Sequence, residues 1–108
     1  HYTRELAKRL EGSGTTTYAL HPGVVASDIW RRIPRPFRDV AHLFMITTED
    51  GAQTTLHCAA SAECATENGL YYDKCGPITA SSLAMDDALS STLYEKSLEL
   101  TGAPDFPF

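Results

Sequence analysis

The spacing of apolar residues changes several times along the chain, and each change marks an element. Leu6 and Leu10 stand four apart with Ala7 beside them, while Arg4, Glu5, Lys8, Arg9 and Glu11 fill the other positions. Residues 2–11 therefore read as a helix with one apolar face, stopped by Gly12-Ser13-Gly14. Residues 15–20 are rich in β-formers and read as a buried strand that ends abruptly in His21-Pro22-Gly23. From 24 to 46 the periodicity is lost: Trp30, Ile33, Phe37, Leu43, Phe44, Met45 and Ile46 are scattered among polar residues, with a short helix near 38–46. Thr47-Thr48-Glu49-Asp50 reads as a capped helix start with acids in its first turn. That helix runs over 48–60, with Ala52, Leu56, Ala59 and Ala60 as its inner face. Asn68-Gly69 introduces a second strand, 69–72, closed by Asp73, and 73–82 reads as a loop around Gly76-Pro77. Met85, Leu89 and Leu93 mark a last helix over 84–100, which Gly102 and Pro104 end.

The order helix–strand–loop–helix–strand–helix predicts an α/β protein. Strand 15–20, helix 48–60 and strand 69–72 form a strand–helix–strand unit, whose long connection favours parallel pairing and a right-handed crossover. Parallel sheets are usually larger and buried on both faces. The outer side of strand 15–20 thus calls for a neighbour that this sequence does not contain. With an opening at His1 in place of a methionine, this predicts a segment of a larger domain.

Composition narrows the chemistry. With 108 residues the chain has room for one domain, and 43% hydrophobic residues is ordinary for a globular protein. A net charge of -5 with no basic stripe argues against nucleic acid as a partner. Arg31, Arg32, Arg35 and Arg38 make a local basic stretch, flanked by Asp28 and Asp39 and broken by Pro34 and Pro36. It reads as a solvated loop, with contact to an anionic ligand or a membrane surface as the other reading. No apolar run is long enough to span a bilayer and no signal peptide opens the sequence. Cys58, Cys64 and Cys75 read as reduced intracellular thiols, which leaves the cytoplasm and the endoplasmic reticulum membrane both open as locations. His57 beside Cys58 raises the question of a metal, but the gaps between the cysteines match no close zinc-ligand pair, so no metal is expected.

The Pro22-Gly23 turn carries the candidate chemistry. Glycine lets a ligand approach the backbone, and ligands of open α/β sheets sit at the carboxyl ends of the strands. The apolar, proline-broken stretch after it suits a cover over a substrate, or equally a segment packed on the body. Gly12 and Gly14 are no phosphate loop, because Thr17 stands where the G-x-G-x-x-G spacing needs its third glycine and no strand precedes them.

The blocks 3–12 (TRELAKRLEG), 16–25 (TTYALHPGVV), Gly51-Ala52-Gln53-Thr54 with Leu56-His57, and Gly69-Leu70-Tyr71-Tyr72, in this order and at these distances, resemble the short-chain dehydrogenase/reductase family. The likeness is to the C-terminal part of its retinol dehydrogenase-like members. It covers most of the chain and is weakest over 28–46 and after 77. It implies the C-terminal portion of a doubly wound (Rossmann-like) parallel sheet, with residues 1–108 forming one segment of a single domain. It implies an NADP or NAD cofactor and hydride transfer between nicotinamide and a lipophilic alcohol or aldehyde such as a retinoid. Pro22 and Gly23 match the family's turn, Val25 the position whose backbone holds the carboxamide, and Ser27 a hydroxyl that contacts the cofactor. Ser27-Asp28 also fits a turn cap.

The family's catalytic Tyr-x-x-x-Lys is absent: Tyr2, Tyr18, Tyr71, Tyr72 and Tyr94 are followed four residues on by Leu6, Pro22, Cys75, Gly76 and Leu98. No catalytic residue is therefore expected in this chain, and His21 reads as a structural histidine at a strand end. Isolated, the chain should be inactive. The resemblance extends to a homo-oligomer through residues 69 to 100 and to membrane association of the parent. The rival reading is a non-catalytic product that binds a partner through the open edge of strand 15–20.

Overall fold

The computed structural model describes residues 1–105. It is an α/β arrangement of four α-helices and a small mixed sheet: α1 (Tyr2–Arg9), β1 (Ala19–His21), α2 (Arg35–His42), α3 (Thr48–Ala60), β2 (Tyr71–Asp73), β3 (Gly76–Ile78) and α4 (Asp87–Thr101). The strand order is β1-β2-β3, so β1 lies at an edge. β1 runs parallel to β2, pairing Ala19 with Tyr71 and His21 with Asp73, with α3 in the connection. The strand–helix–strand unit is as expected, although β1 is shorter than 15–20 and shifted to its end.

Residues 73–82 are not a plain loop. Gly76–Ile78 pairs antiparallel with β2 across the two-residue turn Lys74-Cys75. Pro77 is tolerated because β3 is an edge strand with one side free of ladder bonds. Both turn residues have positive φ, 49° and 61°, the backbone demanded by a tight hairpin of the primed kind. Neither is glycine, so no local sequence signal announced it. Thr54 steadies the turn, its Oγ1 accepting from the Cys75 N–H at 3.3 Å.

Helix ends follow the sequence. Thr47 caps α3 by accepting from the Asp50 N–H at 3.1 Å, and Asp86 caps α4 by accepting from the Leu89 N–H at 3.0 Å. Gly102 closes α4 in a left-handed conformation, its N–H donating to Leu98. In the middle segment, Asp28–Arg32 forms a 3-10 turn and α2 begins at Arg35, a few residues before the expected helix. Pro36 sits in its first turn, where a missing N–H costs nothing.

The buried faces differ from the expected ones. α3 buries Gly51, Thr54 and Cys58, while Leu56 is exposed and so are Ala52, Ala59 and Ala60. The small face wins because it lets the helix come close: a Cβ on Gly51 would lie 2.6 Å from Val25 Cγ2. In α4 the buried pair is Ser90 and Tyr94, with Leu89 and Leu93 outward.

Tyr94 is the hub of the α1–α4 seam. The Arg9 guanidinium stacks 4.1 Å from its ring centroid, the Tyr2 ring lies 5.2 Å away, and its hydroxyl donates to Asp105 at 2.8 Å. Arg9 also holds buried Glu5 at 2.8 Å, and that hydrogen bond makes Arg9 bind its proton more tightly than usual. Arg4 and Lys8 both reach Asp87, at 2.7 and 2.9 Å. A second small core joins Cys58, Cys64 and Tyr72 with Tyr18, Leu20 and Leu70 around them. The Tyr18 and Tyr72 rings meet edge to face, and the Tyr72 hydroxyl donates to Glu67. Burial raises the pKa of both cysteine thiols, so they stay protonated.

The arrangement is open. Its radius of gyration is 17.2 Å, against roughly 13 Å for a compact globule of this length. Among the described residues only Leu10, Cys58, Cys64, Tyr72 and Tyr94 are buried apolar or aromatic side chains.

Candidate functional site

The parallel strands β1 and β2 both end at one cleft of about 460 Å³. His21, Pro22, Gly23 and Val24 form one wall, Asp73, Lys74 and Cys75 another, and Asp50, Gln53 and Thr54 of α3 the floor. Phe44 and Ile46 close it from the middle segment. A larger apolar hollow of about 500 Å³ lies against α1, with Ala19, Leu70 and Tyr71 in its wall. These residues stand at the amino ends of the strands, where backbone geometry does not favour a ligand.

Gly23 has a φ of +84°, and a Cβ there would lie 2.7 Å from Ile46 Cδ1. Glycine is needed for the turn and for the fit of Ile46 over it. Ile46 then makes a short parallel bridge: its N–H donates to Val24 at 3.0 Å and its carbonyl accepts from Ala26 at 2.9 Å. The polar groups of Val25 consequently point away from Ile46. Its carbonyl accepts from the Trp30 indole N–H and the Ser27 N–H, both at 2.9 Å. Its N–H has no backbone acceptor among the described residues.

The four residues singled out from sequence are not all at one place. Pro22 and Gly23 line the cleft. Val25 turns its side chain against Gly51 of α3, and its N–H has no backbone acceptor among the described residues. Ser27 lies in an adjoining polar pocket of about 300 Å³ with Asp28, Arg31, Arg38, Asp39 and His42. It precedes the 3-10 turn but makes no side-chain cap bond there. His21 stands at the end of β1, exposed. Sequence reasoning missed Lys74 and Cys75, because the turn that brings them to the cleft lacks the glycine or asparagine that would have marked it, and Thr54, because the apolar pattern put Leu56 rather than Thr54 on the inner face of α3. Among the described residues no group of histidines, cysteines and carboxylates is arranged to hold a metal ion.

Pro22 and Gly23 thus open on a cleft at the carboxyl ends of the parallel pair, which is where open α/β sheets take ligands. No protein-family profile matches the chain. Among curated proteins it is similar to retinol dehydrogenase 12 of Mus musculus, 41% identical over 107 residues that cover 94% of this chain and 33% of that protein. It is similar also to retinol dehydrogenase 11 of Mus musculus, 36% identical over 95% of this chain and 33% of that protein. Dehydrogenase/reductase SDR family member 13 of Bos taurus is 39% identical over 94% of this chain and 28% of its own length. The chain spans about a third of the length of the curated relatives it matches. It is a relative of the short-chain dehydrogenases/reductases and resembles their retinol dehydrogenase-like members.

Proposed function

We propose that residues 1–108 are the C-terminal segment of a single short-chain dehydrogenase/reductase domain, an NAD(P)-dependent oxidoreductase acting on a lipophilic alcohol or aldehyde such as a retinoid. The observation that carries this reading is the parallel β1–β2 pair with its Pro22-Gly23 exit opening on the cleft. The unpaired edge of β1 and the open shape support a larger, doubly wound sheet continuing beyond it.

The cleft fits the nicotinamide end of such a cofactor. Pro22 and Gly23 line it, and the Val25 N–H, which has no backbone acceptor among the described residues, would be the donor for a carboxamide oxygen. When bound, the nicotinamide supplies or accepts hydride at the substrate carbon. This chain's residues hold and shield. Pro22 and Gly23 set the backbone path, Val25 orients the ring through its N–H, and the Ser27 hydroxyl offers a second polar contact beside the cleft. Trp30 fixes the loop by its bond to the Val25 carbonyl. Phe44 and Ile46 form an apolar cover that keeps water from the reacting face. Proton transfer is left to residues outside this chain.

The test is an assay of the full-length gene product with NADPH and NADH against a panel of lipophilic aldehydes, retinal included. Turnover that Gly23→Val abolishes is the expected result. Absence of nicotinamide oxidation with every aldehyde, or full activity in Gly23→Val, overturns the proposal. The unpaired edge of β1 also favours a second reading, a non-catalytic interaction module. A pull-down in which a strand-breaking substitution, Leu20→Pro, abolishes partner capture while turnover is absent would select it.

A further inference from the structure

The hollow of about 500 Å³ beside α1 plays no part in the chemistry of the cleft. Leu70, Tyr71 and Ile78 form its floor, Arg4 of α1 stands on one side, and Ala84 and Met85 of the 3-10 turn Leu83–Met85 stand on the other. Its volume falls within the range of about 300–1,000 Å³ typical of small-molecule sites. The walls are tied in place: Arg4 reaches Asp87, in the first turn of α4, at 2.7 Å, and the Met85 N–H donates to the Ser81 carbonyl at 3.1 Å. Ala84 is small and half-buried, while Ile78 and Met85 at the rim are 44% and 41% exposed. The floor lies mainly on the β2–β3 side of the sheet, away from the β1 edge at which a larger sheet would continue.

Arg4 brings a charge to this wall, and its donors are poorly served. Nη2 takes Asp87, Nη1 donates to Met85 Sδ at 3.6 Å, and Nε is buried with no acceptor among the described residues. Thioether sulfur is a weak acceptor, so the guanidinium gains from an added oxygen. Lys8 also holds Asp87, at 2.9 Å, so within this trio two cations face one carboxylate.

We infer that this hollow binds an aliphatic carboxylate, its chain laid over Leu70, Tyr71 and Ile78 and its head group on Arg4. Charge complementarity selects the acid, and an arginine fork matches a carboxylate with paired hydrogen bonds. A neutral alcohol would leave the surplus charge of the trio facing apolar surface. Met85 is unbranched and flexible, so its sulfur gives way on Nη1 to the ligand oxygen. The hollow stands at the amino ends of the strands, and side chains in place of backbone amides hold the ligand there. The inference is independent of the dehydrogenase reading, since it needs neither nicotinamide nor the cleft.

The test is isothermal titration calorimetry of the full-length gene product with dodecanoate, at mildly alkaline pH where a carboxyl is ionised. Saturable binding at least about tenfold tighter than that of dodecanol is expected, because the alcohol lacks the charge-assisted bonds. Ala84→Phe fills the hollow and should weaken dodecanoate binding at least about tenfold. Arg4→Met should weaken it as much and remove the preference for acid over alcohol, while Arg4→Lys, which keeps the charge without the fork, should fall between Arg4→Met and the parent. Ala84 lies outside the α1–α4 ion pairs, and an unchanged far-ultraviolet circular dichroism spectrum confirms that each variant is folded. Should Ala84→Phe fail to fold, the acid–alcohol selectivity of Arg4→Met and Arg4→Lys decides. The inference is overturned if dodecanoate does not bind, if dodecanol binds as tightly, or if Arg4→Met keeps the selectivity of the parent. It is equally overturned if folded Ala84→Phe binds dodecanoate as the parent does, which would assign the ligand to another site such as the cleft.

Discussion

Gly51→Ala tests the joint that positions the Pro22–Val25 backbone. In an unconstrained helix this change is stabilising by about 1 kcal/mol, because alanine is the better helix former. Here the new Cβ would lie 2.6 Å from Val25 Cγ2 and 3.5 Å from both Val25 Cγ1 and the Pro22 carbonyl oxygen. Ordinary carbon contacts begin near 3.5 Å, so about 1 Å must be found. Valine cannot yield it by rotation, since it is stiff at χ1 and its other methyl already touches the same space. Either α3 or the 22–25 backbone must shift, an overpacking cost of about 1–3 kcal/mol. The clash wins. Gly51→Ala should destabilise by up to about 2 kcal/mol, lowering Tm by about 4–8 °C for each kcal/mol. In a Val25→Ala background the obstructing methyls are gone and the same change should stabilise by about 1 kcal/mol. Thermal and urea unfolding of the four variants, followed by circular dichroism, gives the coupling directly. A rise in Tm for Gly51→Ala alone would refute the reasoning, because it would mean that Val25 does not pack on α3.

Three further outcomes follow from the same structure. Replacing Lys74-Cys75 by Asn-Gly should stabilise the chain by about 1–2 kcal/mol in urea denaturation, because it relieves two left-handed non-glycine residues. Cys75, half-buried at the cleft, should react with a thiol reagent at mild alkaline pH well before buried, protonated Cys58 and Cys64; mass spectrometry after timed labelling would show equal rates if the small core is not formed. Arg4 first, then Lys8, holds the Asp87 carboxyl below its ordinary range. The unfolded chain therefore binds the proton more readily, and this contribution is complete above about pH 4 and lost as pH falls through the depressed folded value. Asp87→Asn should flatten that acid limb of the stability profile, and an unchanged limb would show that the α1–α4 ion pairs do not form in solution.

Much of the fold was legible because local rules and tertiary demands agree. Thr47 and Gly102 act where the sequence placed a cap and a stop, and the long 21–71 connection forced β1 and β2 to run parallel. The failures are instructive. Periodicity counts apolar residues, so it chose Leu56 over Gly51 and Leu93 over Tyr94. Close approach of α3 to Val25 needs the absence of a side chain, which no hydrophobic scale rewards. Tyr94 is buried by an arginine stack and an aspartate hydrogen bond that are remote in sequence. The lining of the cleft was legible in part for the same reason. Pro22 and Gly23 are a local backbone signal, whereas Lys74 and Cys75 reach the cleft through a turn of unmarked composition.

The order of elements, the Pro-Gly exit and the family likeness are properties of the sequence by itself, since each rests on residues adjacent along the chain. Which face of each helix is covered, the hairpin that adds β3, and the outward turn of Phe37 and Phe44 were decided only in three dimensions. The reason is physical: burial is a contest among surfaces distant in sequence, settled by how closely two backbones can approach and by which charges find partners across the gap.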